Sequence, residues 1–125
     1  MPNLNESGIT LLASVTVDLQ AADPKSTIYT VPAGKSLIVT HVIIRNPTAS
    51  LAAGNDFDLG DGVSANTWIN TVDLSSMTAT TDFMVIEGNN VKYTVFNAGD
   101  VFGIIPVTGA TADAQATAEV FGYLF

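Results

Sequence analysis

Apolar and polar residues alternate with a period of two along much of this chain, the pattern of half-buried β-strands. The clearest early example is the segment 11–19, in which the alternate residues are mainly polar. The positions that share its apolar face are Leu11, Ala13, Val15, Val17 and Leu19. We therefore predict a strand over 11–19 with these five side chains facing a core.

The segment 36–46 gives the strongest strand prediction. On an uninterrupted period of two, its apolar side chains divide between Ile38, Val42 and Ile44 on one face and Leu37, Val39 and Ile43 on the other. We therefore expect both faces to be largely buried. His41 lies in line with Val39 and Ile43, and we expect it to be a hydrogen-bonded structural residue.

Several further segments are rich in β-branched and aromatic residues, and turns containing Gly, Pro, Asn or Asp separate them. These strand candidates are 27–31, 56–59, 67–74, 83–86, 91–96 and 101–107. The segment 75–81 fits either a loop or one helical turn, and we find no helix of ten or more residues. About eight or nine strands without a helix indicate an all-β sandwich or barrel. We predict a single domain over 1–125, with 1–7 as an N-terminal arm.

Alanine occupies every second position from 110 to 118. Because sheets pack about 10 Å apart, five methyl groups do not fill a core of normal thickness. Small side chains instead allow another backbone to approach closely, within the subunit or across a symmetry axis. Two interpretations stay open: an edge strand covered by bulky partners, or an oligomer interface. The residues predicted for that interface are Ala112, Ala114, Ala116, Ala118, Phe121 and Tyr123.

Composition narrows the function. The 125 residues are 47% hydrophobic and 13% charged, which excludes a disordered chain, and a net charge of −8 argues against nucleic-acid partners. The chain has no cysteine and one histidine, which excludes thiol chemistry and leaves little for a metal or cofactor. We see no signal peptide and no apolar run long enough to cross a membrane, so we expect synthesis in a cytoplasm and no membrane partner.

Candidate chemical motifs are weak. The segment 56–62 is superficially similar to a calcium loop, but Gly60 stands where that loop needs an oxygen ligand and Thr67 where it needs a glutamate, so we predict a hairpin. No Gly-x-Ser-x-Gly elbow surrounds a serine, and we expect neither an enzyme nor a metal or cofactor site. Trp68 could stack on a sugar ring, although a tryptophan in a strand is more often a core residue.

Four short motifs are spread over 27–125. They are Ile-Tyr-Thr-Val-Pro-Ala-Gly-Lys at 28–35 before a long strand, the turn at 58–62, Ala-Gly-Asp at 98–100, and the strand at 118–124. Together these motifs resemble those of small virion structural proteins of tailed phages and prophages. The resemblance implies a jelly-roll β-sandwich that decorates capsids or builds fibres and tails, commonly as a trimer. The pattern at 99–102 with the ending at 121–125 is also similar to C1q- and tumour-necrosis-factor-like jelly rolls, which form trimers.

The sequence therefore leads to two hypotheses. The first is a bacteriophage virion structural protein, located on the capsid surface. It would decorate the capsid as a homotrimer and bind the major capsid protein or another virion protein. The alternative is a carbohydrate- or receptor-binding module of a phage tail or fibre, with Trp68 contacting a glycan.

Overall fold

The chain forms two packed antiparallel sheets in a computed structural model, which describes residues 9–88 and 94–125. Within these ranges there are nine strands: β1 (Thr10–Asp18), β2 (Ser26–Thr30), β3 (Leu37–Arg45), β4 (Asp56–Gly60), β5 (Ile69–Val72), β6 (Phe83–Glu87), β7 (Val95–Phe96), β8 (Val101–Thr108) and β9 (Gln115–Leu124). The predicted N-terminal arm and residues 91–93 of the predicted strand 91–96 lie outside the described residues.

The strand order is that of a jelly roll. One sheet has the order β1-β9-β3-β6, with the short β7 also paired to β3, and the other has the order β2-β8-β4-β5. All of these pairings are antiparallel, and the chain crosses repeatedly between the two sheets. The predicted all-β antiparallel sandwich is confirmed. The segment 75–81 is a series of turns, and no described helix could span a bilayer.

The core lies between the two sheets, because alternate side chains of each strand point inward. Its largest members come from both sheets and from loops, among them Phe57 and Phe102 of the four-stranded sheet, Phe96 of β7, and the loop residues Leu51 and Met77, all buried. The rings of Phe96 and Trp68 each meet Phe102 edge-on, with centroids 5.5 Å apart. Edge-to-face contact is a favourable arrangement for aromatic pairs, so these rings stabilise the contact between the layers.

The alanine-rich segment is not an edge strand, which corrects one of the two interpretations. Strand β9 begins at Gln115 and lies between β1 and β3, so both of its edges are paired. Ala114, Ala116 and Ala118 are buried in the subunit core, whereas Ala112 is exposed before the strand. Methyl groups suffice here because large side chains of the opposite layer, such as Phe57 and Phe102, supply the bulk.

A β-bulge in β3 overturns the prediction of two buried faces. The register passes from Val39 opposite Gly122 to His41 opposite Phe121, so Thr40 is an extra residue. The alternation therefore changes phase at Thr40. Leu37 and Val39 before the bulge, and Val42 and Ile44 after it, all point into the core. The side chains of Ile38, His41 and Ile43 occupy the outer face and are only partly buried.

A second bulge, in β1, corrects the expected position of Leu11. The register passes from Leu11 opposite Phe121 to Ala13 opposite Val120, which makes Leu12 the extra residue. Leu12 packs against the core, while Leu11 is 50% exposed on the outer face. Uninterrupted alternation placed Leu11 with Ala13 and Val15, and the inserted residue reverses its direction.

Candidate interaction surface

The outer face of the five-stranded sheet carries a continuous group of apolar side chains, which we call the outer apolar patch. Phe83 is 69% exposed and Val85 48% exposed on β6, next to the half-buried Ile43 of β3. The full set is Leu11, Ile38, His41, Ile43, Phe83, Val85, Val95, Phe121 and Tyr123. Exposed apolar groups that adjoin one another mark interaction sites, whereas single ones are ordinary.

The centre of the outer apolar patch is a row of three side chains across three strands. Leu11 of β1 and His41 of β3 both lie opposite Phe121 of β9. The bulge in β1 and the bulge in β3 lie on either side of β9, next to Phe121. The residue of β9 that follows Phe121, between the two bulges, is Gly122. A Cβ atom at Gly122 would collide with the carbonyl oxygen of Ile38, so only glycine fits this close approach of β3.

Aromatic stacking gives the row a flat surface. The imidazole ring of His41 stacks on Phe121, with centroids 4.5 Å apart and planes inclined by 8°. The hydroxyl of Thr40 donates to the backbone carbonyl of Phe121 at 3.1 Å and lies 3.1 Å from His41 Nδ1. Thr40, the extra residue of the bulge, thus contacts both the imidazole ring of His41 and the neighbouring strand β9. His41 is half-buried on the outer face, where its ring contributes to the apolar surface.

The carboxylate next to the centre of the face is neutralised. Arg45 Nε donates to Glu119 Oε1 at 2.8 Å, and Arg45 Nη1 donates to Asn46 Oδ1 at 2.7 Å. Asp18, at one end of the sheet, accepts a hydrogen bond from the Gln115 amide. Glu87 lies opposite His41 on the outermost strand. The middle of the outer apolar patch therefore carries little net charge.

The outer face of the four-stranded sheet is different in kind. It carries Asp58, Asn70 and Thr27, and the stem of Lys25 lies over Gly103 of β8. Lys25 Nζ donates to the backbone carbonyls of Val101 and Gly62, at 2.7 and 2.9 Å. Burial lowers the pKa of the Lys25 ammonium, and the neighbouring Asp61 opposes that shift. A side chain of the subunit itself covers part of this face.

Trp68, the residue predicted to contact a glycan, lies in the core. It is 6% exposed, and its indole nitrogen donates to the carbonyl of Val39 at 3.2 Å. Gly88 lies against the ring so closely that a Cβ atom there would meet the indole. Trp68 therefore joins the second sheet to the bulged part of β3, and neither face of its ring is free to stack on a sugar.

The acidic turn after β4 uses its carboxylates internally. Asp58 Oδ1 accepts a hydrogen bond from the Thr71 backbone at 2.9 Å, and Asp61 bonds with the hydroxyl of Thr67. Strands β4 and β5 pair in an antiparallel manner on either side of this turn. The segment is a hairpin, and in the described part of the chain no three His, Asp or Glu side chains converge as ligands.

The structure places the predicted interface residues in three different locations. Phe121 and Tyr123 belong to the outer apolar patch, Ala112 lies exposed near one end of β9, and Ala114, Ala116 and Ala118 face the core. Sequence reasoning missed Leu11, Phe83 and Val85 as surface residues. The signal for the last two was available, because 83–86 is apolar on both faces of a short strand whose partner, β3, is also apolar on both faces.

The described residues form a jelly-roll subunit whose five-stranded sheet has an apolar outer face. No family model matches the chain, and none of the curated proteins matches it. Among solved structures, it is similar to a chain of the cyanophage Pam1 capsid asymmetric unit. The TM-score is 0.52 and the identity 16%, over 94% of this chain and 86% of that chain. At this identity the likeness concerns the fold.

Proposed function

We propose that this protein is a structural component of a bacteriophage virion and acts through the surfaces that it buries on assembly. The observation that carries the proposal is the outer apolar patch, which exposes Phe83, Val85 and Leu11 together on one sheet face. Such a surface is unfavourable in water and becomes favourable when a partner covers it. The likeness of fold to a phage capsid chain supports a virion as the site of that assembly.

Within this role we propose decoration of the capsid surface as a homotrimer, with the major capsid protein or another virion protein as the second partner. The net charge of −8 supports an outer position, because it would repel the packaged genome. We propose no catalysis, since the chain's one histidine is stacked on Phe121 at 4.5 Å and serves the apolar surface.

We do not propose carbohydrate binding as a second function. Trp68 is the residue predicted to contact a glycan, and its indole is buried against Phe102 and donates a hydrogen bond to the carbonyl of Val39. The predicted similarity to C1q- and tumour-necrosis-factor-like trimers stays a prediction.

The test is the protein content of purified particles. Virions from a lysate that expresses this gene would be banded on a density gradient and analysed by mass spectrometry, followed by immunogold labelling. We expect the chain to band with the major capsid protein and the gold to mark the head. A chain that stays in the soluble fraction of the lysate refutes the virion role, and gold confined to tails refutes capsid decoration.

A further inference from the structure

We propose that the outer apolar patch is the surface through which copies of this chain bind one another, with the Leu11–Phe121–His41 row at the centre of the contact. The inference rests on the proposed structural role, and it names a second copy of this chain as the partner of the outer apolar patch. Ala114, Ala116 and Ala118 of the predicted interface are buried in the subunit, so the proposed contact uses the opposite, outer face of β9.

The construction of the row supports a contact site. Both neighbours of β9 have a bulge beside Phe121, and bulges often occur where a strand must direct a particular side chain. The bulge in β1 lets Leu12 pack on the core while Leu11 points outward. The stacked ring of His41 and the Thr40 hydroxyl then fix Phe121 in place. A rigid, partly buried aromatic centre is typical of the residues that dominate binding energy.

The size of the face fits a stable contact between subunits. The ten residues of β9 span roughly 33 Å, and four strands side by side span roughly 19 Å, so the face has an area of roughly 600 Å². Stable interfaces bury about 800 Å² on each partner, and the accessible area of a corrugated sheet exceeds its projected area. Covering this one face would therefore provide about the area that a stable contact requires.

Charge favours a second copy as the partner. A chain with a net charge of −8 repels its own copies, so self-association requires a face where the carboxylates are neutralised or lie at the margin. The outer face meets this requirement, because Arg45 neutralises Glu119, the centre around Phe121 and Ile43 is apolar, and Glu87 lies at the margin on the edge strand β6.

The test places one charge in the patch and one outside it. In Val85→Asp, a carboxylate replaces a 48% exposed side chain beside Ile43; in the matched control Val107→Asp, it replaces a 56% exposed side chain on β8 of the other sheet. Size-exclusion chromatography with light scattering would measure the masses. We expect the full-length protein and Val107→Asp to have about three times the subunit mass of 13.0 kDa, and Val85→Asp to fall about threefold.

Circular dichroism establishes whether Val85→Asp is folded. If it is not, Phe83→Ser replaces it, because Phe83 is exposed and its loss leaves the core intact. A folded patch variant that keeps the mass of the full-length protein overturns the inference, as does a monomeric full-length protein. In a monomer, patch amides protected from hydrogen exchange would identify residues of the same chain as the cover. Protection that arises only on particles would identify another virion protein.

The proposed function fails by a different result. A full-length protein that associates through the patch but is absent from particles would retain the inference and refute the virion role. A dimer that Val85→Asp dissociates would also retain the inference, and would refute the trimer. A monomeric protein that is found in virions would refute the inference and retain the virion role.

Discussion

The two sheets of this sandwich are both apolar on the inner face and differ on the outer face. On the four-stranded sheet, the stem of Lys25 lies over Gly103, and Asp58 and Asn70 face the solvent. On the five-stranded sheet, Phe83, Val85 and Leu11 are about half exposed or more, around the ring pair of His41 and Phe121. Burial within the subunit cannot explain the second face, because each of its strands already directs a complete set of side chains into the core.

The five-stranded sheet is thus apolar on both faces. The inner face of β9 contributes alanines to the subunit, and the outer face contributes Phe121 and Tyr123 to the proposed contact. An antiparallel sheet that covers only one core is normally polar outside. Four experiments test this difference between the two sheets, in order from the largest to the smallest expected effect on stability.

Replacing Gly122 by alanine should disturb the row at its centre. The added Cβ would meet the Ile38 carbonyl, so β3 must move away from β9, and we expect a loss of about 3 kcal/mol in the free energy of unfolding. Urea denaturation measures it. In the control Gly34→Ala, the new Cβ meets no atom within 4 Å, and the positive φ of 75° should cost about 1 kcal/mol. Equal losses in the two variants would contradict the close approach at Gly122.

The link between the sheets should be nearly as costly to break. Trp68→Phe removes the N–H that reaches Val39 at 3.2 Å and leaves space beside Gly88, so we expect a loss of about 2 kcal/mol. Urea denaturation of this variant and of Val63→Ala, whose side chain is exposed, would provide the comparison. In the unmodified protein, the Trp68 fluorescence should resist quenching by acrylamide; ready quenching would place the indole at the surface.

The ion pair on the apolar face should contribute less to the stability of the subunit. Arg45→Met keeps most of the apolar stem and removes the charge that neutralises Glu119, and Arg45 is partly exposed, so we expect a loss of about 0.5–1 kcal/mol in the monomeric Val85→Asp background. Thermal melts in low and high salt would measure it. The loss should shrink in high salt, and a salt-independent loss would mean that packing rather than charge holds Arg45.

The smallest effect concerns Lys25 on the opposite face. Because burial lowers its pKa in the folded state, the ammonium costs stability below that value, and the cost disappears as the pH rises toward the pKa of the unfolded chain. Relative to Lys25→Met, the unmodified protein should therefore gain stability with rising pH in the alkaline range. Urea denaturation across that range measures the difference. The exposed Lys35, replaced by methionine, is the control, and an equal gain for both positions would contradict the burial of Lys25.

The sequence was sufficient for the strands, the sheet type and the layered fold, because alternation is a local property. It was insufficient wherever the alternation changed phase. A reading of 36–46 with an unbroken period of two cannot place both Val39 and Val42 in the core, and a bulge at Thr40 does so. Likewise, an unbroken period of two cannot direct Leu11 outward and Ala13 inward, and the extra residue Leu12 in β1 makes this possible. Pattern reasoning could reach Phe121, Tyr123 and the apolar strand 83–86, whereas the outward direction of Leu11 and His41 depends on these two insertions.

The position of β9 has a consequence for the order in which the molecule folds. Residues 115–124 separate β1 from β3 and supply the hydrogen-bonding partners of both, about 100 and 80 positions away in the chain. Until these residues have been synthesised, β1 has no strand partner in its sheet, and β3 can pair only with β6 and β7. The five-stranded sheet, and with it the row centred on Phe121, is therefore completed by the last of the described strands to leave the ribosome.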